Sequence, residues 1–234
     1  MLVPRMSELG ADVAGLFDEG SIVVLSAENT DAALAGITEA EAALVARAVD
    51  KRKREFATAR VLAREALARI GRDATEILNA PDRAPIWPEG IAGSISHCDT
   101  RAVVAMGHRG QVGTVGIDVE HRDELKRDLW KSVFGPTEIA RLDAGWDRAE
   151  RGRIALALFS AKEALYKAQY AWTAKYMGFH ELEVELEPLS GAHGTLACTF
   201  RNDVGRFARG TVVRGRYRLD AFPGGEVITA VRIA

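Results

Sequence analysis

Short runs of β-branched and apolar residues alternate along the chain with two long stretches of helical character. Ser21–Ser26 (SIVVLS) gathers β-branched residues between Gly20 and the polar AENTD stretch, which predicts a buried strand. From about Thr38 to Ile70 the chain is rich in Ala, Leu, Glu and Arg, contains no Pro or Gly, and stops at Gly71. That pattern predicts one helix or two in succession. Pro81, Pro85 and Pro88 then forbid a helix and predict an ordered loop leading into Gly93-Ser94-Ile95-Ser96-His97. Arg101–Met106 and Val112–Glu120 read as strands, with the glycines of GHRG suited to the turn between them.

A loop and a short helix are expected around Asp128–Gly145. In Arg153–Trp172 the residues Ile154, Leu158, Ala161, Leu165, Ala168 and Trp172 recur at helical spacing and form one narrow apolar stripe, the expected core face. The remaining segments, 180–188, 195–203, 210–222 and 226–233, read as strands between turn residues. Helix followed by strands occurs twice, so element order predicts a duplicated α+β architecture with its boundary near Gly110–Gly113.

Composition narrows the class. A chain of 234 residues makes one large domain or two small ones, and 47% hydrophobic content places it among ordinary globular proteins. Lys and Arg number 31 against 33 acidic residues, so the strong cationic field of a nucleic-acid or membrane-surface binder is missing, and neither partner is expected. Cys98 and Cys198 lie far apart with no C-x-x-C spacing, which argues against a disulfide framework or zinc site. No stretch has the apolar length of a spanning helix, and the opening residues lack a secretory apolar region; a cytoplasmic location is expected.

Candidate chemistry sits in three places. In Val115-Gly116-Ile117-Asp118-Val119-Glu120, alternation sends Gly116, Asp118 and Glu120 to one face, with the two carboxylate-bearing Cα atoms roughly 6.6 Å apart, within reach of one hard cation. An edge strand with a solvated polar face would look the same. On the second helix, Glu163 lies opposite the core stripe yet is flanked by Phe159, Tyr166 and Tyr170, so something is expected to cover that face; a simple Glu163–Lys167 helix pair is the alternative. A third carboxylate from this helix beside Asp118 and Glu120 would suit Mg²⁺, with Lys162 and Lys167 facing phosphate oxygens. Gly93–His97 has the make-up of a phosphate-contacting loop. The basic run Lys51–Arg54, with Arg60 and Arg64, could bind phosphate or be a solvated helix face. No G-x-S-x-G, H-E-x-x-H, P-loop or G-x-G-x-x-G motif is present.

Taken in order, Trp87-Pro88-Glu89-Gly90, Gly93–His97, Gly116-Ile117-Asp118-Val119-Glu120 and Phe159-Ser160-Ala161-Lys162-Glu163-Ala164-Leu165-Tyr166-Lys167 resemble a Sfp-type 4′-phosphopantetheinyl transferase. The W-P-x-G-x-x-G-S-x-S-H stretch resembles the branch that includes enterobactin synthase component D, and the resemblance spans about residues 50–170. It implies an α+β fold made of a pseudo-twofold pair of similar α/β halves, 1–112 and 113–234, with the active site between them. The implied activity is Mg²⁺-dependent transfer of the phosphopantetheine arm of coenzyme A to a serine of an apo acyl or peptidyl carrier protein, serving siderophore or other nonribosomal peptide or polyketide synthesis. One chain would supply both halves, so a monomer is expected.

The same resemblance implies residue roles. Asp118, Glu120 and Glu163 match the acidic metal site, with Glu163, Lys167 and Asp118 the catalytic set and Glu163 a candidate base. Lys162 and Lys167 match phosphate-contacting lysines, Ser96 and His97 a serine–histidine pair at the coenzyme's phosphates, and Arg52 and Arg60 arginines at its nucleotide end. The family's basic residue before P-x-W-P is replaced by Asp82, and Arg83 is expected to substitute one place later. The segment with Leu129, Trp130, Val133 and Phe134 and the cations Lys126, Arg127 and Lys131 is a candidate carrier-docking site. A coenzyme A diphosphate hydrolase and a non-catalytic binding module are the rival readings.

Overall fold

The computed structural model describes residues 7–8, 15–17, 20–74, 76–121, 124–190 and 192–234. The chain is α+β and divides into two units, 1–115 with Ala234 and 116–233. In the first unit, β1 (Ser7–Glu8) and β2 (Val23–Glu28) are followed by a 3₁₀ turn at Asp31–Gly36. The Thr38–Ile70 region then forms two helices, α1 (Glu39–Leu44) and α2 (Asp50–Arg69). α1 starts at a reciprocal cap: Thr38 Oγ1 accepts from Glu41 N at 3.2 Å while Glu41 Oε2 accepts from Thr38 N at 3.1 Å. After the proline-rich loop come β3 (Ile91–His97), β4 (Arg101–His108) and the single turn α3 (Arg109–Val112).

The expected loop at Gly93–His97 is thus a strand. β3 pairs antiparallel with β4 from Ile91↔His108 to His97↔Ala102, and β4 pairs on its other side with β2, giving the order β1-β2-β4-β3. The backbone hydrogen bonds of SISH are therefore spent on the sheet, and its side chains alternate between faces. α2 lies on this sheet through Ala59, Leu62, Ala63, Ala66 and Leu67, which pack with Leu25, Val104 and Met106. β2 runs two residues later than the apolar run predicts because its pairing with β4 carries on to Glu28↔Arg101.

In the second unit, β5 (Thr114–Glu120) leads through a 3₁₀ turn at Arg127–Leu129 into α4 (Trp130–Val133) and α5 (Pro136–Gly145). α6 (Arg148–Thr173) starts five residues before the stripe predicts. It is followed by β6 (Leu182–Ser190), β7 (His193–Phe200), β8 (Val212–Arg218) and β9 (Val227–Ile233). The sheet order is β5-β9-β8-β7-β6, with β6 to β9 successively antiparallel.

α6 buries more than one stripe. Ile154, Leu158, Ala161, Leu165 and Ala168 join a core with Val184, Leu196, Phe200, Tyr217 and Val231, while Trp172 stays partly exposed beneath the Arg206 guanidinium. Ala155, Ala157 and Ala164 are buried on its other sides. Small side chains there let the helix come close to the sheet, as it does at Gly116: a Cβ on it would lie 1.9 Å from Ala164 O and 3.1 Å from Ala168 Cβ. Among the described residues no helix is long and apolar enough to cross a membrane.

Gly116→Ala must push backbone from backbone rather than turn aside a flexible side chain, so we expect a loss of about 1–3 kcal/mol in urea unfolding. A variant as stable as the parent would show that β5 and α6 have room to separate.

Candidate functional site

The close approach at Gly116 carries the next residues of β5 against α6. Two residues on, Asp118 points the same way and meets α6 one turn beyond Ala164: Lys167 Nζ donates to Asp118 Oδ1 at 2.7 Å and to Ile117 O at 3.2 Å. Asp118 is only 3% exposed, so its charge is tied to a partner rather than to water. The solvated-edge alternative therefore fails for Asp118, although β5 is the end strand of its sheet. Lys167 reaches across to the strand instead of back along the helix.

Glu163, one turn before Lys167, is half-buried. Burial raises its proton affinity above the ordinary carboxylate range, the negative charge of Asp118 raises it further, and Lys167 partly offsets both. The two carboxylates feel each other's charge, and the Lys167 ammonium acts on both. Glu120 lies two residues further along the same strand face and is also half-buried. The expected three-carboxylate site is not drawn together: among the described residues no three His, Cys, Asp or Glu side chains are close enough to hold a metal ion. The donor chemistry nevertheless suits a hard cation, since Asp118 and Glu163 offer carboxylate oxygens whose mutual repulsion Mg²⁺ would relieve.

The aromatic face around Glu163 is covered, as its composition implies. Phe159 packs against Phe179 with ring centroids 5.5 Å apart, and Tyr166 touches Tyr170 and Tyr176. Between α6 and the 176–182 segment lies a cavity of about 190 Å³ lined by Glu163, Tyr166, Tyr176, Met177, Phe179 and Leu182. The sequence announced a cover but not what supplied it, because the covering segment lies outside any regular pattern.

Lys162 departs from expectation. Its ammonium is buried and donates to Glu138 Oε2 at 2.8 Å, Val133 O at 2.9 Å, Leu182 O at 2.9 Å and Phe179 O at 3.0 Å. Three N–H donors facing four acceptors commit the ammonium to internal contacts, and Lys162 also lines the cavity beside Glu163.

In the first unit, Arg52 Nη1 donates to His97 Nε2 and lies 3.4 Å from Glu55 Oε2, which is also 3.4 Å from His97 Nδ1. Arg52 is exposed and His97 half-buried, while Ser96 is buried on the neighbouring position of β3. Gly93 serves packing rather than a phosphate cradle: a Cβ there would lie 2.7 Å from the Trp87 indole, so the W-P and G-S-x-S-H motifs are packing partners.

Arg60 is 4% exposed, with Nε donating to Ile77 O at 2.8 Å, Nη2 bonded to Asn79 Oδ1, and the guanidinium 4.3 Å over the Phe56 ring. Burial lowers its pKa to about 10, an effect eased by Glu41. Only its remaining nitrogen is left for a ligand. Glu41, which sequence reasoning passed over, accepts from Ile77 N at 2.9 Å and from Arg64 at 2.7 Å, so Ile77 is held by charged side chains at both its N–H and its C=O. Its Thr-x-x-Glu spacing announced the cap but not the inward turn. Arg83 sits exposed in a tight turn, at φ 72°, with Arg83 N donating to Ala80 O at 2.8 Å and Asp82 Oδ1 accepting from Ala84 N at 3.0 Å. Asp82 therefore builds the turn and Arg83 is what the turn presents.

The 126–134 segment, the candidate for docking, has apolar anchors inside and charges outside. Trp130, Val133 and Phe134 are buried, Leu129 is exposed, and Lys126 and Lys131 flank it. Arg127 stacks over Trp130 at 4.1 Å and pairs with Asp143 through two 2.7 Å hydrogen bonds.

Comparison with known proteins gives one direction. Residues 40–107 match the family described as 4′-phosphopantetheinyl transferase N-terminal domain, and residues 114–220 match the 4′-phosphopantetheinyl transferase superfamily. The chain is 38% identical to 4′-phosphopantetheinyl transferase Svp of Streptomyces mobaraensis, over 83% of this chain and 77% of that protein. It is 34% identical to 4′-phosphopantetheinyl transferase Npt of Nocardia iowensis, over 83% of this chain and 88% of that one. Enterobactin synthase component D of Escherichia coli strain K12 is 35% identical, over 50% of this chain and 55% of its own.

Two expectations come from the geometry. Because the folded state holds the Glu163 proton more tightly than the unfolded chain does, ionising Glu163 costs stability as pH rises through its raised pKa. In EDTA, Glu163→Gln should therefore melt at or above the parent temperature at pH 8, the difference closing as pH falls to about 4; a variant several degrees less stable at pH 8 contradicts this electrostatic account. Arg83→Gly should gain up to about 1 kcal/mol from relief of the left-handed residue while weakening coenzyme A binding in calorimetry. Unchanged affinity would remove Arg83 from the binding surface.

Proposed function

The chain belongs to the 4′-phosphopantetheinyl transferase superfamily, and from that premise we propose that it moves the 4′-phosphopantetheine arm of coenzyme A to a serine of an apo acyl or peptidyl carrier protein, with Mg²⁺. The enzyme is a 4′-phosphopantetheinyl transferase, as its family matches and relatives of 34–38% identity indicate. The observation that carries the finer reading is the gathering of Asp118, Lys167 and Glu163 beside a cavity of mixed lining.

Asp118 and Glu163, with Glu120 further along the strand, would hold the Mg²⁺, whose chemistry there is charge neutralisation at the diphosphate. Lys167, fixed at Asp118, adds a positive charge for the leaving oxygen. A carboxylate of this set, Glu163 where it is free of the metal, or a water beside it takes the serine proton. The serine oxygen bonds to the phosphorus next to pantetheine as the bond to the leaving adenosine 3′,5′-bisphosphate breaks. The cavity takes the arm, whose amides and methylenes match its mixed apolar and hydroxyl lining. In the first unit, Arg52, Ser96, His97 and Arg83, with the free nitrogen of Arg60, would hold the nucleotide end. Leu129, Lys126 and Lys131 would meet the carrier. The likeness to enterobactin synthase component D supports siderophore or other nonribosomal peptide or polyketide assembly as the setting; a cytoplasmic location and a monomeric enzyme complete the proposal.

Intact-protein mass spectrometry of an apo peptidyl carrier domain incubated with the enzyme, coenzyme A and Mg²⁺ should record a gain of about 340 Da, absent with EDTA or with the carrier Ser→Ala. Asp118→Ala should abolish that gain in a folded protein. Coenzyme breakdown without carrier modification would favour the hydrolase instead.

A further inference from the structure

The buried pair Lys162–Glu138 is unused by the proposed chemistry, yet it stands against the site. Glu138 is the third residue of α5 and returns one oxygen to the start of its own helix, Oε2 accepting from Gly135 N at 2.9 Å. The same oxygen takes Lys162, and Oε1 accepts from Val184 N at 2.9 Å on β6. Lys162 in turn ties the carbonyl of Val133, at the end of α4, to those of Phe179 and Leu182. One ion pair thus joins the α4–α5 connection, α6, the 179–182 turn and the end strand of the sheet.

Two consequences reach Glu163. Lys162 is its immediate neighbour, and successive helical residues are turned by about 100°, so drawing Lys162 inward fixes the direction in which Glu163 leaves α6. Phe179 and Leu182, whose carbonyls the ammonium holds, line the cavity beside Glu163. The wall facing the carboxylate therefore hangs from the residue next to it. A role in stability alone accounts poorly for this pair, because apolar residues of similar volume commonly replace buried ion pairs without loss. What an apolar pair lacks is the capacity to grip three carbonyls and two amides in one arrangement.

We propose that Lys162 and Glu138 are positioning residues whose ion pair sets the orientation of Glu163 and holds the 176–182 wall in the shape that receives the pantetheine arm of coenzyme A. This rests on the transferase reading.

The test is Lys162→Met combined with Glu138→Gln, which removes both charges together and leaves an amide oxygen to accept from Val184 N. Glu138→Asp, which keeps the charge but shortens its reach, is the second variant. Folding is followed by circular dichroism and thermal melting, and binding of coenzyme A and of adenosine 3′,5′-bisphosphate, which lacks the arm, by calorimetry. The expected result is a folded protein with unchanged affinity for the bisphosphate, an affinity for coenzyme A weaker by about tenfold, and a coenzyme A KM that rises while the carrier KM stays constant. Glu138→Asp should fall between parent and double variant. Unchanged coenzyme A affinity, or equal loss for both ligands, would overturn the positioning role. A parent protein that neither binds coenzyme A nor modifies a carrier would instead overturn the transferase reading and the proposal with it.

Discussion

Everything in the second unit's site depends on the absence of one methyl group. With hydrogen alone at Gly116, β5 can touch the backbone of α6 at Ala164. This closeness lets a lysine one turn further on span the gap to Asp118. With any larger residue the two elements would part, and the Asp118–Lys167 bond would lengthen into water. Burial then does the electrostatic work: Asp118 is sealed from solvent, so its charge is felt by Glu163 with little screening. A packing constraint thereby becomes a constraint on proton affinity.

Each unit uses buried charge in the same way, as a fastening for irregular backbone. Glu41, with Arg64 and Arg60, satisfies both polar groups of Ile77 in the loop after α2. Glu138, with Lys162, satisfies the amides and carbonyls of the turns around α5 and β6. Loop backbone cannot meet its own hydrogen-bonding needs as helices and strands do, and when buried it requires outside partners. Both carboxylates sit at the third position of a helix, where capping the chain end draws them back over the helix start. The same reach brings them against the neighbouring loop.

Much of this was legible in the residues. Period-two alternation placed Gly116, Asp118 and Glu120 on one strand face, and helical periodicity placed the α6 core stripe and the unusual aromatic face around Glu163. Gly93–His97 was misread as a loop because its serines and glycine have weak strand preference; pairing with β4 along its whole length overrides it. Helix ends also escaped, since α6 begins in a charged segment that no apolar stripe marks. The destination of Lys162 was invisible for a different reason. Nothing in local sequence tells a lysine that points at a ligand from one whose acceptors come from residues 133, 138, 179 and 182.

The nine residues Phe159–Lys167 are best understood as three jobs separated by rotation about one axis. Lys162 turns inward to the carbonyls, Glu163 sits a hundred degrees round beside the cavity, and Lys167, four residues and little more than a turn from Glu163, reaches the strand. Two lysines of identical chemistry therefore act oppositely. Buried Lys162 has a lowered proton affinity, held up against desolvation chiefly by Glu138, and is confined to structure. Lys167 is a quarter exposed and keeps a face toward solvent, so its charge can act on something that arrives. A shift of one residue would turn both side chains by about 100° and take each out of its setting. The spacing within the motif is thus a requirement of helix geometry as much as of chemistry, and the residue types follow from the direction each position faces.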